Sequence, residues 1–234
     1  MIDKSLLQLV NHEAWIECSS SGRAYLKWGH FPKIDGKLDP KSITKAFVIY
    51  PDRNKIPLII GTDRVASSEG GLFLEFKAES DGIYTIAAEY DRGIYTITED
   101  NKWIFGEKGY VKEMGYTAKE SRWICGFAKT YFIAGEYEDN IAAGLELEII
   151  PEVVKKFRDG EKMRFQVLFR GEPVRETVNV RTKNGLLTIE TDNNGFAEIE
   201  LLRGANVISA RYVDETVRIC DKRNLTTTLT IIAD

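Results

Sequence analysis

The chain is 234 residues long, and its 32 basic and 36 acidic side chains leave a net charge of −4 with no basic stripe. That distribution removes the electrostatic footprint that nucleic-acid binding requires and disfavours anionic membranes. Hydrophobic residues at 43% against 29% charged fill a core and solvate a surface, and no apolar run approaches the ~20 residues of a membrane-spanning helix, so no direct membrane insertion is expected.

Residues 1–10 hold a short apolar patch (Leu6, Leu7, Leu9, Val10) with one Lys and a central Gln. Without a small-residue cleavage site, the patch does not read as a secretory signal, and on this ground alone a cytoplasmic location stays open. From there, short strands separated by turn residues are expected almost end to end. Alternating or apolar β-formers mark 12–18, 24–30, 46–50, 58–61, 72–78, 83–90 and 94–98. Segment 119–132 reads equally as a helix or a long strand. The stretch around 136–144 is acidic and small, and it marks a domain boundary near residue 143. Beyond it, strands are expected at 145–150, 163–170, 177–181, 186–190, 196–202, 206–213 and 226–232. Asp192-Asn193-Asn194-Gly195 sits between two such runs and predicts a hairpin turn. The fold class is therefore all-β with little helix: two sandwiches of immunoglobulin or transthyretin type in tandem, 1–143 and 144–234.

Chemistry is sparsely signalled. No GxSxG elbow, P-loop, HExxH or dinucleotide fingerprint occurs, and the reading is of a binding protein rather than an enzyme. The cysteines (Cys18, Cys125, Cys220) are odd in number and far apart. Three ordinary buried thiols are expected rather than a zinc-thiolate site, with one disulfide and a leftover thiol as the alternative.

The two histidines carry the most information. If 12–18 and 24–30 form a hairpin with Cys18 opposite Ala24, then Ile16 faces Leu26, Ala14 faces Trp28 and His12 faces His30. All of these then share one sheet face, because side chains alternate with period two. Two imidazoles so opposed can chelate one transition-metal ion; a slip of one residue sends them to opposite faces. Two ligands need company, and the candidates are Glu13 and Glu17, on the opposite face unless a bulge intervenes, and Asp35 or Asp39 beyond His30. The plainer reading makes the histidines strand-end side chains and 35–39 an ordinary turn. Tyr84, Tyr90, Tyr95, Trp103 and Tyr110 read either as core packing or as a carbohydrate- or peptide-binding surface.

The ordered set of local motifs resembles a family of bacterial and archaeal extracytoplasmic proteins. It comprises His12-Glu13-Ala14-Trp15-Ile16-Glu17, Trp28-Gly29-His30-Phe31-Pro32, Asp35-Gly36, Gly82-Ile83-Tyr84, Tyr90-Asp91-Arg92-Gly93 and Phe127-Ala128-Lys129. Leu147-Glu148-Ile149-Ile150-Pro151, Gly171-Glu172-Pro173-Val174 and the turn at 192–195 complete it. The family is filed partly as a domain of unknown function and partly as the periplasmic component of cobalt/nickel uptake ABC transporters (NikM-like). The resemblance implies a periplasmic or extracellular protein that holds nickel or cobalt as an accessory to a membrane transporter. It puts His12 and His30 on the family's motif positions; Asp35 and Glu17 stay as further candidate ligands from the hairpin argument alone. The alternative is a structural or adhesion-type module that binds a protein or glycan without metal.

Overall fold

The computed structural model describes residues 12–19, 23–36, 38–61 and 71–234. The apolar patch at 1–10 lies outside them, as do residues 20–22 at the tip of the first expected hairpin.

The fold is all-β. The first half contributes β1 (Glu13–Cys18), β2 (Ala24–His30), β3 (Lys33–Ile34), β4 (Ile43–Ile49), β5 (Lys55–Pro57), β6 (Ile60–Gly61) and β7 (Gly71–Leu74). It continues with β8 (Gly82–Thr98), β9 (Trp103–Phe105), a short helix α1 (Lys108–Glu113) and β10 (Ala118–Ala134). The second half supplies β11 (Leu147–Pro151), β12 (Lys162–Phe169), β13 (Glu172–Pro173) and β14 (Thr177–Thr182). It ends with β15 (Gly185–Glu190), β16 (Phe196–Glu200), β17 (Gly204–Asp214) and β18 (Lys222–Ala233).

These strands form three sheets. A nine-stranded sheet runs β15-β14-β17-β18-β10-β8-β4-β5, with β9 on β8. Its two halves meet where β10 and β18 pair in parallel from Arg122–Lys222 to Thr130–Thr230. Among the described residues, every other pairing between two of these strands is antiparallel, as in β8 with β10. Strands from both sides of residue 143 thus share one hydrogen-bonded layer.

Alternation along the central strands builds one apolar cluster on each face of this layer. Phe47, Ala87, Phe127 and Leu229 join Leu147, Ile149, Phe165 and Val167 of the four-stranded sheet β11-β12-β13 with β16. Val48, Ile86 and Ala88 instead join Ile16, Leu26, Trp28 and Leu74 of the five-stranded sheet β1-β2-β7-β6 with β3. Strands buried on both sides carry apolar residues at consecutive positions, which accounts for the run Ile83 to Ala88.

Segment 119–132, helix or strand on sequence grounds, lies within the 17-residue strand β10. The two runs expected at 83–90 and 94–98 are one strand. They join through a bulge in which Asp91 and Ile94 pair with Cys125 and Trp123, leaving Arg92 and Gly93 (φ +78°) without partners in the ladder. The turn at 192–195 forms, with Gly195 donating to the Asp192 carbonyl at 3.0 Å, but it is no hairpin. β15 pairs with β14 and β16 with β12, so the turn carries the chain from one sheet to another. Local turn chemistry fixes the reversal and leaves open which strand each arm pairs with.

Candidate functional site

The hairpin β1–β2 has the register that the histidine argument requires. Cys18 pairs with Ala24, Ile16 with Leu26, Ala14 with Trp28 and Glu13 with Gly29, without a bulge. The even-numbered side chains Ala14 and Ile16 enter the apolar cluster, and His12 continues their face. The imidazoles of His12 and His30 meet edge to face, with ring centroids 4.6 Å apart.

A second reversal brings in the carboxylate. β2 turns at Phe31–Pro32 into β3, pairing His30 with Lys33 and Gly29 with Ile34, and Asp35 donates its backbone N–H to the Trp28 carbonyl at 3.1 Å. The approach is possible because Gly29 has no side chain. At its φ of +146°, a Cβ would stand 2.6 Å from both the Asp35 nitrogen and the Lys33 carbonyl oxygen.

Asp35 Oδ2 then lies 2.9 Å from His30 Nδ1 and 3.8 Å from His12 Nε2. One donor atom from each of the three residues falls within 4.8 Å of the others. Donors of a tetrahedral site at ~2.1 Å from a metal stand about 3.4 Å apart, so the trio fits a transition ion with small side-chain adjustments. His12 is buried and, among the described residues, its Nδ1 has no hydrogen-bond partner, whereas His30 is about one-third exposed. The trio therefore has a closed side, formed by Trp28 at 5.7 Å from the His12 ring, and an open one.

The protonation states suit metal ligands, while the Lys33 ammonium opposes a cation. Lys33 Nζ sits 2.6 Å from Asp35 Oδ1, and that ammonium, with the His30 hydrogen bond, holds the Asp35 carboxyl down at about 2. Burial, then the neighbouring His30, lowers the pKa of His12 below its usual 6.5. Both effects favour the metal-binding forms, an ionised carboxylate and a neutral imidazole.

The other acidic candidates are elsewhere. Glu17 faces away from His12, as the unbulged register dictates, and binds Lys27 Nζ and Trp15 Nε1, each at 2.7 Å. Asp39 caps the 3-10 turn Pro40–Ser42 by accepting from the Lys41 amide. Glu13 is buried and pairs with Arg181 Nε of β14 at 2.9 Å. Of the aromatic candidates, Tyr84 and Tyr90 are core residues and Tyr110 is exposed. Lys33 and Arg181 were not among the residues the sequence marked. Lys33 was readable from its place opposite His30 across a two-residue turn; no local signal marks Arg181.

Fold and site together define a multilayered β protein with a His-His-Asp cluster at one end of its five-stranded sheet. The chain belongs to the family described as a domain of unknown function (DUF4198), whose model matches residues 11–214. No curated protein matches the chain.

Proposed function

We propose that the protein is an extracytoplasmic binding protein that holds a transition-metal ion, nickel or cobalt, on His12, His30 and Asp35 as an accessory to uptake by a membrane transporter. One observation carries the reading: the chain's only two histidines have ring centroids 4.6 Å apart and share the Asp35 carboxylate, whose Oδ2 lies 2.9 Å from His30 Nδ1 and 3.8 Å from His12 Nε2. Nitrogen donors with one oxygen suit nickel, cobalt, copper or zinc better than magnesium or calcium. The resemblance to periplasmic nickel and cobalt components supports the first two and the location. Three protein ligands leave coordination positions open, which suits cargo that must be released rather than a structural ion.

The test is calorimetric titration of chelator-stripped protein with nickel and with cobalt, repeated on His12→Ala and His30→Ala. Micromolar or tighter binding at one site, lost in both variants, supports the reading. A parent protein that binds neither ion overturns it. The alternative, a module binding a protein or glycan without metal, draws on exposed Leu186 and Leu187 of the edge strand β15; it gains if the parent fails to bind.

A further inference from the structure

Arg92 belongs to no ion pair among the described residues, although it is neither at the chain's edge nor fully solvated. It sits on the bulge of β8, the kind of irregularity that re-aims a side chain next to a functional site. The guanidinium lies over the Trp28 ring, 4.8 Å from its centroid, and the His12 imidazole meets the same indole at 5.7 Å. Arg92 therefore stands no further from the His12 ring than those two contacts added together.

Beyond Arg92 opens a groove of about 570 Å³ lined by Asp39, Lys41, Ser42, Thr44, Asp91 and Arg92. Its acids are already engaged. Asp39 caps the 3-10 turn, and Asp91 Oδ1 accepts from Trp123 Nε1 and the Gly93 amide, each at 2.7 Å. Its cations are not: Lys41, like Arg92, has no carboxylate partner among the described residues. Asp39 of the groove lies four positions beyond Asp35 of the cluster in sequence.

Charge balance makes this arrangement informative. Asp35 is the cluster's one carboxylate, and its charge is offset by Lys33. A divalent ion bound there leaves an excess of positive charge, with unpaired Arg92 adding to it. A bare ion leaves this excess uncompensated and its remaining coordination positions to water.

We infer that the site takes its metal as a chelate with a small polycarboxylate, whose free carboxylate reaches Arg92 across the Trp28 edge. The inference rests on the metal reading above and adds the chemical class of the cargo. Metal and Arg92 then share one anion, and the planar guanidinium supplies the two parallel donors that a carboxylate accepts.

The experiment uses nickel alone and citrate as probes, on the full chain and on Arg92→Ala, with thermal melting to confirm that the variant folds. Citrate is titrated into nickel-loaded and into metal-free protein. The expected result is a ternary complex with the nickel-loaded parent, no citrate binding to metal-free protein, and citrate affinity reduced about tenfold in Arg92→Ala. Binding of nickel alone is retained or slightly tightened in that variant, because a nearby cation has been removed. If citrate strips nickel without forming the complex, or binds both proteins equally, the chelate inference falls while the metal site stands. If nickel alone fails to bind the parent, both readings fall together.

Discussion

Lys129 of β10 donates to Glu148 of β11 between the central and the four-stranded sheets, and neither side chain reaches solvent. Glu148 also receives the backbone N–H groups of Ala143, Gly144 and Leu145 at 2.6, 3.0 and 3.1 Å. One carboxylate thus satisfies a buried ammonium and the three amides of the crossing between the chain's halves.

The two partners are not equivalent. Glu148→Ala strands a buried ammonium and three amides together, and breaking a buried pair costs about 3–5 kcal/mol. Lys129→Met leaves the carboxylate with its three amide donors and an apolar neighbour of similar volume. Urea denaturation should show Glu148→Ala as the more destabilising by at least about 1 kcal/mol. Equal losses would mean that the amide contacts contribute little.

Gly29→Ala tests the backbone approach that delivers Asp35. A Cβ at 2.6 Å from two backbone atoms must move the β3 strand, and the strained conformation adds about 1–3 kcal/mol. The variant should melt lower and bind nickel more weakly than the parent, although it alters no ligand. Unchanged nickel affinity would show that Asp35 does not depend on this turn.

Lys33→Ala removes the cation that competes with a metal for Asp35. Nickel should bind several-fold more tightly, less so at high salt, because Lys33 is largely exposed and screened. The Asp35 carboxyl, now held mainly by His30, should titrate above its present value of about 2 in a carbon-13 NMR titration.

Acid should weaken the metal-free protein in two windows. The folded pKa of His12 lies below the 6.5 of the unfolded chain, so the unfolded state takes the proton first. Stability is intact above 6.5 and declines as pH falls from there toward the lowered folded value. The Asp35 contribution is present above its ordinary 3.8 and is lost as pH falls toward about 2. His12→Gln should remove the upper decline and keep the lower one, a separation that denaturation midpoints at stepped pH would reveal.

What could be read from the sequence was what local alternation determines. The alternation of Ala14, Ile16, Leu26 and Trp28 put His12 and His30 on one face once a register was assumed, and the ladder has that register. Asp35 and Asp39 were both candidates as acids in the loop after His30, and only the fold separates them, with Asp35 on the imidazoles and Asp39 on the 3-10 turn. Long-range partners left no such trace. Glu13 meets Arg181 across 168 positions, and nothing in Arg122–Thr130 announces a parallel neighbour at 222–230. Arg92 was hidden for another reason: Asp91-Arg92-Gly93 looked like a turn between two strands, whereas the chain bulges there and continues.

The parallel seam between β10 and β18 also constrains when the molecule can be finished. β10 has β8 on one side and receives β18 on the other only after about ninety further residues have been made. Until then, a 17-residue strand offers open backbone groups along one edge, the geometry that invites pairing with other chains. The histidine-bearing strand waits on the same event, since Thr228 Oγ1 of β18 donates to the Ala14 carbonyl at 2.6 Å. A nascent or truncated chain ending before residue 222 would carry both histidines yet lack the seam that backs them. Completion of the central sheet therefore waits on the chain's last strand, and a chain that lacks it presents an open strand edge.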